Sequence, residues 1–227
     1  MIKNYLSKKI FNNDLNFHKS GFLLSKQTNT IVIADIHLGK GTSLNKNGIQ
    51  VPPYDIKETL KRLNDIVDEY NPSKVISLGD SFHDKFSILN MEKSDLNELK
   101  KITKRVNFFW INGNHDQDLI GKDKIGGIFF DSYKENNFYF RHIKTKNKTK
   151  SYEFSGHFHP KVSIKINNSR FFNKCFIVSK DFCILPSFGY YTGGLDVYSK
   201  DFRAIINEAA EIIILGKKKI LLKKYRI

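Results

Sequence analysis

The sequence predicts an α/β fold in which two mixed sheets pack face to face with helices outside. Three observations carry this expectation. Helical and extended patterns alternate as far as Ile111, and beyond Ile128 short strand patterns follow one another without helices. The chain of 227 residues is 40% hydrophobic, with 19 Phe and 10 Tyr, enough to bury a sizeable core in one domain over residues 1–227.

Taken in order, Phe22 to Ser25 and Thr30 to Ala34 are apolar runs separated by Lys26-Gln-Thr-Asn29, which predicts a hairpin leading into a buried strand. Asp55 to Tyr70 is the clearest helix. Ile56, Leu60, Leu63, Ile66, Val67 and Tyr70 recur at three- and four-residue steps, Asp55 and Glu58 have the spacing of a cap, and Asn71-Pro72 ends the pattern. A strand over Val75 to Leu78, a weaker helix around Ser94 to Thr103 and an aromatic strand from Val106 to Ile111 complete a β-α-β-α-β start. Strands are then expected at Phe138 to Phe140, Tyr152 to Phe154, Val162 to Ile166, Phe171 to Val178 and Phe182 to Leu185. A closing hairpin is expected from Ile212 to Leu222 around Gly216-Lys-Lys-Lys219.

No apolar run approaches the roughly 20 residues that span a bilayer, and no apolar stretch follows the charges of the first residues, so a cytoplasmic location is expected. Cys175 and Cys183 lack the spacing of a zinc knuckle and read as buried thiols. Lys and Arg number 38 against 23 Asp and Glu, a net charge of +15 that favours an anionic partner. The excess concentrates in Lys134 to Lys150 and Lys217 to Arg226, and Lys144 to Lys150 reads as a polar loop with lysine at every second position.

The chemistry lies at the ends of strands. Four extended runs terminate in metal-ligating residue types: Ile31-Val-Ile-Ala-Asp35-Ile-His37, Val75-Ile-Ser-Leu-Gly-Asp80, Phe108-Phe-Trp-Ile-Asn-Gly-Asn114-His115-Asp116 and Tyr152-Glu-Phe-Ser-Gly-His157-Phe-His159. In open α/β sheets ligands gather at the carboxyl edge, so these residues are expected to converge on one site. Asp35 and His37 share a face if their strand stays extended, as do His157 and His159. Gly79, Gly113 and Gly156 each precede a candidate ligand, where a missing side chain permits a sharp turn and close backbone approach. Carboxylates, imidazoles and an amide without thiolates suit Mn²⁺, Fe²⁺, Zn²⁺ or Mg²⁺. There are too many ligands for one ion. Two ions about 3.5–4 Å apart share a carboxylate, activate a water and clamp a phosphate oxygen, with Asp80 as the natural bridge. A histidine outside the ligand set is then needed at the leaving oxygen, and His115 beside Asn114 fits that place.

Asp35-x-His37, Gly79-Asp80, Gly113-Asn-His-Asp116 and Gly156-His-x-His159, in this order and spacing, resemble the calcineurin-like metallophosphoesterase superfamily. The resemblance implies a four-layer α/β/β/α sandwich of two packed mixed sheets. It implies a first metal on Asp35, His37, Asp80 and His159, a second on Asp80, Asn114, a further histidine and His157, and His115 as the catalytic histidine. His142, after the strand Phe138-Tyr-Phe140, is the candidate for the further ligand. His83, three after Asp80 in a Gly-Asp-x-Phe-His stretch similar to that of some nucleases of the superfamily, is a second catalytic candidate that approaches the substrate phosphate.

Outside the metal motifs, Ala34-Asp-Ile-His-Leu-Gly-Lys40, Gly48-Ile-Gln-Val-Pro52, Gly156-His-Phe-His-Pro160, Leu185-Pro-Ser-Phe-Gly189 and Thr192-Gly-Gly194 resemble the ligase-associated DNA-damage-response endonucleases. Gln117 departs from their pattern. This resemblance spans about residues 22–194 and leaves a basic segment over 203–227. It implies two divalent ions, Mn²⁺ first among them, DNA as substrate, DNA-repair ligase or helicase partners, and hydrolysis of phosphodiesters. The competing expectations are a phosphoesterase of nucleotide-type small molecules and a non-catalytic scaffold of a repair complex.

Overall fold

The computed structural model describes residues 4–145, 150–167, 169–206 and 208–225. The first sheet begins with β1 (Tyr5–Ile10), β2 (Asn13–His18), β3 (Leu23–Ser25) and β4 (Thr30–Ile33), each antiparallel to the next. The expected hairpin is the β3–β4 pair. The strands before it carried no legible alternation: β1 is a lysine-bearing edge strand, and only Leu15 and Phe17 of β2 enter the core.

After β4 come α1 (Lys40–Lys46), α2 (Asp55–Tyr70), β5 (Lys74–Leu78), α3 (Lys93–Arg105), β6 (Asn107–Ile111) and β7 (Ile128–Phe130). β4, β5, β6 and β7 are parallel neighbours, joined by helical crossovers as far as β6 and by the loop over residues 112–127 from β6 to β7. Helix α2 has the expected bounds, and Asn71 ends it in the left-handed conformation at φ 41°. The expected Asp55 cap is corrected. Tyr54 occupies the N-cap, and Asp55 instead accepts a hydrogen bond from the Gly41 N–H at 2.9 Å, tying α1 to α2.

The second sheet contains β8 (Tyr133–Glu135), β9 (Phe138–Phe140), β10 (Tyr152–Ser155), β11 (Lys161–Ile166), β12 (Ser169–Ser179) and β13 (Phe182–Ile184). Helix α4 (Lys200–Ile205) and then β14 (Ala210–Leu215) and β15 (Ile220–Tyr225) complete it. Its order is β15-β14-β12-β13-β10-β9-β8, with β11 paired to β12. The expectation of no helix beyond Ile128 is corrected by α4. That helix has one buried residue, Phe202, too few to leave a periodic signature, and its start is fixed by Ser199 Oγ accepting from the Phe202 N–H.

Three apolar layers hold the four structural ones together. Phe22, Ile31, Leu60, Leu63, Leu99 and Trp110 join the first sheet to α2 and α3. Phe17, Val32, Ile76, Phe154, Phe176 and Ile213 fill the space between the sheets, where each fully buried side chain contributes about 1.5–3 kcal/mol. Cys175, Ile177, Ile184, Phe202 and Ile212 pack the far face against α4. Both cysteines are buried thiols. Among the described residues no helix is long and apolar enough to cross a membrane.

This topology sets where strands end. β4, β5 and β6 are parallel in one sheet, and β9, β10 and β13 are parallel in the other. The carboxyl ends of all six meet at one edge of the sandwich.

Candidate metal centre

At that edge the chain leaves each strand by an abrupt turn. Asp35, His37, Asp80, His157 and His159 all have positive φ, between 45° and 69°. Non-glycine residues avoid this region, and clustering of such strain is characteristic of functional sites. The expectation that Asp35 and His37, and His157 and His159, share the face of an extended strand is therefore corrected. β4 ends at Ile33 and β10 at Ser155, and left-handed turns rather than pleat alternation aim these side chains.

Glycine permits the crowding this produces. A Cβ at Gly79, Gly113 or Gly156 would lie 2.3 Å from His142 Nδ1, 2.1 Å from the Asp80 nitrogen or 2.6 Å from Asp35 Oδ2.

Three overlapping groups of metal-ligating atoms result among the described residues. Asp35, His37 and His159 form the first, Asp80, His142 and His157 the second, and His37, Asp80 and His115 a third that joins them, with the ligand atoms of each group within 4.8 Å of one another. In the first, His159 Nε2 lies 3.3 Å from both Asp35 Oδ1 and His37 Nε2. In the second, His142 Nε2 lies 3.3 Å from Asp80 Oδ2 and 3.0 Å from His157 Nδ1. Asp80 Oδ2 also faces His37 Nε2 at 3.9 Å, so one carboxylate oxygen addresses the first two groups. Backbone N–H groups fix the two carboxylates: the His157 N–H donates to both Asp35 oxygens at 3.0 Å, and the His115 N–H to Asp80 Oδ1 at 3.0 Å.

The donor set fits divalent cations. Imidazole nitrogens facing each other at 3.0 and 3.3 Å oppose lone pairs unless a proton or a cation lies between them. His142 Nδ1 is 2.9 Å from the Leu78 carbonyl, which can only accept, so Nδ1 carries the hydrogen and Nε2 is left as the ligand nitrogen. Burial and the neighbouring His159 pull the His37 pKa down to about 2, and burial with the nearby His142 lowers that of His157. Burial also disfavours a charged His142, but Asp80 and Asp35 outweigh it and raise the ring to about 8. Burial opposes ionisation of Asp80 too, yet His142 and the His115 N–H hold it well below the ordinary carboxylate range.

The remaining expected residues lie around this pair. The His115 ring is exposed, with a nitrogen within 4.8 Å of ligand atoms of His37 and Asp80, and it stacks on His83 at 5.5 Å. His83 is half-buried, and its Nδ1 has no hydrogen-bond partner among the described residues. Asn114 follows β6 beside His115. Its side chain is exposed and makes no hydrogen bond to the protein among the described residues.

Sequence reasoning missed the function of Asp116. Its buried carboxylate accepts from the Gly113 N–H at 3.0 Å and from the Ser81 and Phe82 N–H groups at 3.1 Å, locking the turn after β5 to the turn after β6. The signal was its place in Asn114-His115-Asp116: a carboxylate beside two site residues satisfies backbone donors when it cannot reach the centre.

The basic segments separate. β9 and β10 are parallel neighbours, so the connection after His142 must run from the site to the opposite end of the sheet, and Lys144 rests over the Phe182 ring at 4.4 Å where β13 begins. Residues 146–149 of that lysine loop lie outside the described residues. The Lys217–Lys219 turn, in contrast, joins β14 to β15 at the edge that carries the clustered carboxylates and imidazoles, three strands from β10 and so roughly 15 Å away. A cavity of about 780 Å³, lined by Lys8, Phe11, Tyr152 and Lys180 among others, lies at the opposite end and contains none of the clustered residues.

Residues 28–201 match the family model described as calcineurin-like phosphoesterase. Among solved structures, the Pseudomonas putida nuclease MPE superposes with a TM-score of 0.78 at 21% identity, covering 96% of this chain and all of that one. A phosphoesterase from E. coli matches with a TM-score of 0.40 at 13% identity, over 86% of this chain and 97% of its own. No curated protein matches the sequence. The family match spans every strand end that carries the clustered carboxylates and imidazoles, and the chain belongs to the calcineurin-like phosphoesterase family.

Proposed function

We propose that the protein is a divalent-metal-dependent phosphodiesterase that cuts DNA internally in a repair setting, as the ligase-associated endonucleases it resembles do. The observation that carries the metal-dependent part is the position of Asp80, one oxygen of which faces His142 at 3.3 Å and His37 at 3.9 Å. Asp35, His37, Asp80 and His159 would hold one ion, and Asp80, Asn114, His142 and His157 the other. When bound, the ions, with Mn²⁺ the first to test, supply Lewis-acid activation of water and neutralise charge on the phosphate.

The chain's own residues do the rest. His115, exposed at the mouth of the site, protonates the departing alkoxide. His83, kept neutral by burial and by the charge of Lys40, contacts a phosphate oxygen from the side of β5. The Lys217–Lys219 turn on the same edge and the net charge of +15 favour a polyanion over a small phosphoester, and such binding weakens steeply with salt. The shared fold with a nuclease makes DNA the first substrate to test.

Circular single-stranded and supercoiled duplex DNA, incubated with Mn²⁺, should yield nicked or linear products that disappear with EDTA. Circles have no ends, so such products report internal cleavage directly. Hydrolysis of a bis-aryl phosphodiester with the circles intact would move the substrate to nucleotide-type molecules. Two bound ions without hydrolysis of either substrate would leave the scaffold reading.

Metal binding should also displace a proton. A ligand imidazole must be neutral, and His142 holds its proton up to about pH 8 in the metal-free protein. Below pH 8 the half-saturating Mn²⁺ concentration should fall about tenfold per pH unit and level off above it. Calorimetry in buffers of different ionisation enthalpy checks this at pH 7. A flat dependence between pH 6.5 and 9 would overturn the displacement of a proton from His142 in that range.

A further inference from the structure

The Leu185-Pro-Ser-Phe-Gly189 and Thr192-Gly-Gly194 motifs contribute no candidate ligand, yet they wrap the backbone that presents the first cluster. The Phe188 N–H donates to the Ala34 carbonyl at 2.7 Å and the Gly189 N–H to the Asp35 carbonyl at 3.1 Å. At the other end of the segment a Cβ on Gly194 would lie 2.1 Å from the His159 carbonyl oxygen. One stretch of chain thus presses on both strained turns, the one carrying Asp35 and His37 and the one carrying His159.

The outward carbonyls of this stretch are held by two mostly buried cations from different layers. Lys174 of β12 donates through Nζ to the Ser187 carbonyl at 2.7 Å, the Gly189 carbonyl at 3.1 Å and Thr192 Oγ1 at 3.0 Å. These use all three of an ammonium's donors. Arg62 of α2 donates to the Phe188 carbonyl at 3.0 Å and the Ser20 carbonyl at 2.9 Å, with its guanidinium 4.3 Å from the Phe188 ring. Three consecutive carbonyls, 187 to 189, are therefore each bound by a cation. Neither cation has a carboxylate within ion-pair distance among the described residues. Burial, with Arg62 nearby, lowers the Lys174 pKa to about 8.

Burying a cation without a counter-ion costs free energy, and placing one behind a metal site repels the metal. Asp35, beyond ion-pair distance, is the one anion that offsets this for Lys174, and burial outweighs it. We infer that Lys174, together with Arg62, is a positioning pair that clamps the 185–194 segment onto the two left-handed turns and so preorganises the Asp35–His37–His159 metal site. The inference rests on the reading that this cluster holds an ion. The two roles open to Lys174 have opposite signs: loss of a merely repelling charge tightens metal binding, and loss of a clamp weakens it.

The test is Mn²⁺ titration by calorimetry on the full chain, with circular dichroism in EDTA to establish that each variant is folded. Wild type should bind two ions. Lys174→Met should bind one as wild type does and the other about 10–100-fold more weakly, the usual cost of losing an outer support of metal ligands, with partial recovery in Lys174→Arg. In a His159→Ala background, where only the Asp80–His142–His157 site remains intact, Lys174→Met should change nothing further. If Lys174→Met does not fold, Arg62→Met carries the same test, because it frees the Phe188 carbonyl from the opposite layer. Two ions bound with wild-type or tighter affinity, or both weakened equally, would overturn the inference. Failure of wild type to bind Mn²⁺ would overturn the metal reading on which it rests.

Discussion

Asp80→Asn is expected to lower phosphodiester hydrolysis by at least about a thousandfold, the scale on which a charge-stabilising group of an active site acts. The substitution is nearly isosteric, and the amide oxygen can still accept from the His115 N–H, so the turn after β5 should hold. Charge and chemistry are lost. Asp80 Oδ2 faces both His142 and His37, and an amide there removes the negative charge shared by the two sites. It also sets an amide nitrogen, with its hydrogens, about where Oδ2 now lies 3.3 Å from the nitrogen that His142 must keep free. Metal analysis after gel filtration should show less than two ions per chain, and His142 should lose its proton at lower pH because its principal anionic neighbour is gone. Retention of both ions with a tenth of the activity would remove Asp80 from the shared position.

His115→Ala is expected to lower kcat by about 10²–10⁴, roughly 3–5 kcal/mol of barrier, while both ions remain bound. The His115 side chain is exposed and makes no hydrogen bond among the described residues, and its backbone N–H, which alanine retains, donates to Asp80 Oδ1. The loss should depend on the leaving group. An alkoxide such as a deoxyribose oxygen needs the proton, whereas a nitrophenolate departs without it, so the aryl diester should lose much less than DNA. The geometry allows one contrary outcome, because a His115 nitrogen comes within 4.8 Å of ligand atoms of His37 and Asp80. Loss of an ion in His115→Ala, with equal effects on both substrates, would make this histidine a ligand.

The same residues show how far sequence reasoning reaches. The helix over Asp55–Tyr70 was legible because its buried face recurs with the helical period, and β5, β6, β9 and β13 were legible as apolar runs between turn residues. β1, α1 and α4 left no such trace, since each buries one residue or none. Asp35, His37, Asp80, His142, His157 and His159 were legible as candidates from residue type and from their places after strands, and the structure gathers them into two groups. The function of Asp116 was not legible, because its partners are the backbone N–H groups of Gly113, Ser81 and Phe82, which have no sequence signature.

The sequence by itself determined the class of fold, the family and the fact that the candidate chemistry-bearing residues follow strands. Hydrophobic periodicity and ligand type are local properties, written in the order of residues. Only the tertiary structure decided which ends meet and how the side chains are aimed. Parallel pairing of β9, β10 and β13 depends on partners far away in the chain, and it carries His142 and His157 to the edge reached by β4, β5 and β6. The left-handed turns at Asp35, His37, Asp80, His157 and His159 are unfavourable for those residues taken alone. They persist because Asp116 and the segment clamped by Lys174 and Arg62 brace the turns from outside, through contacts that no local stretch of sequence contains.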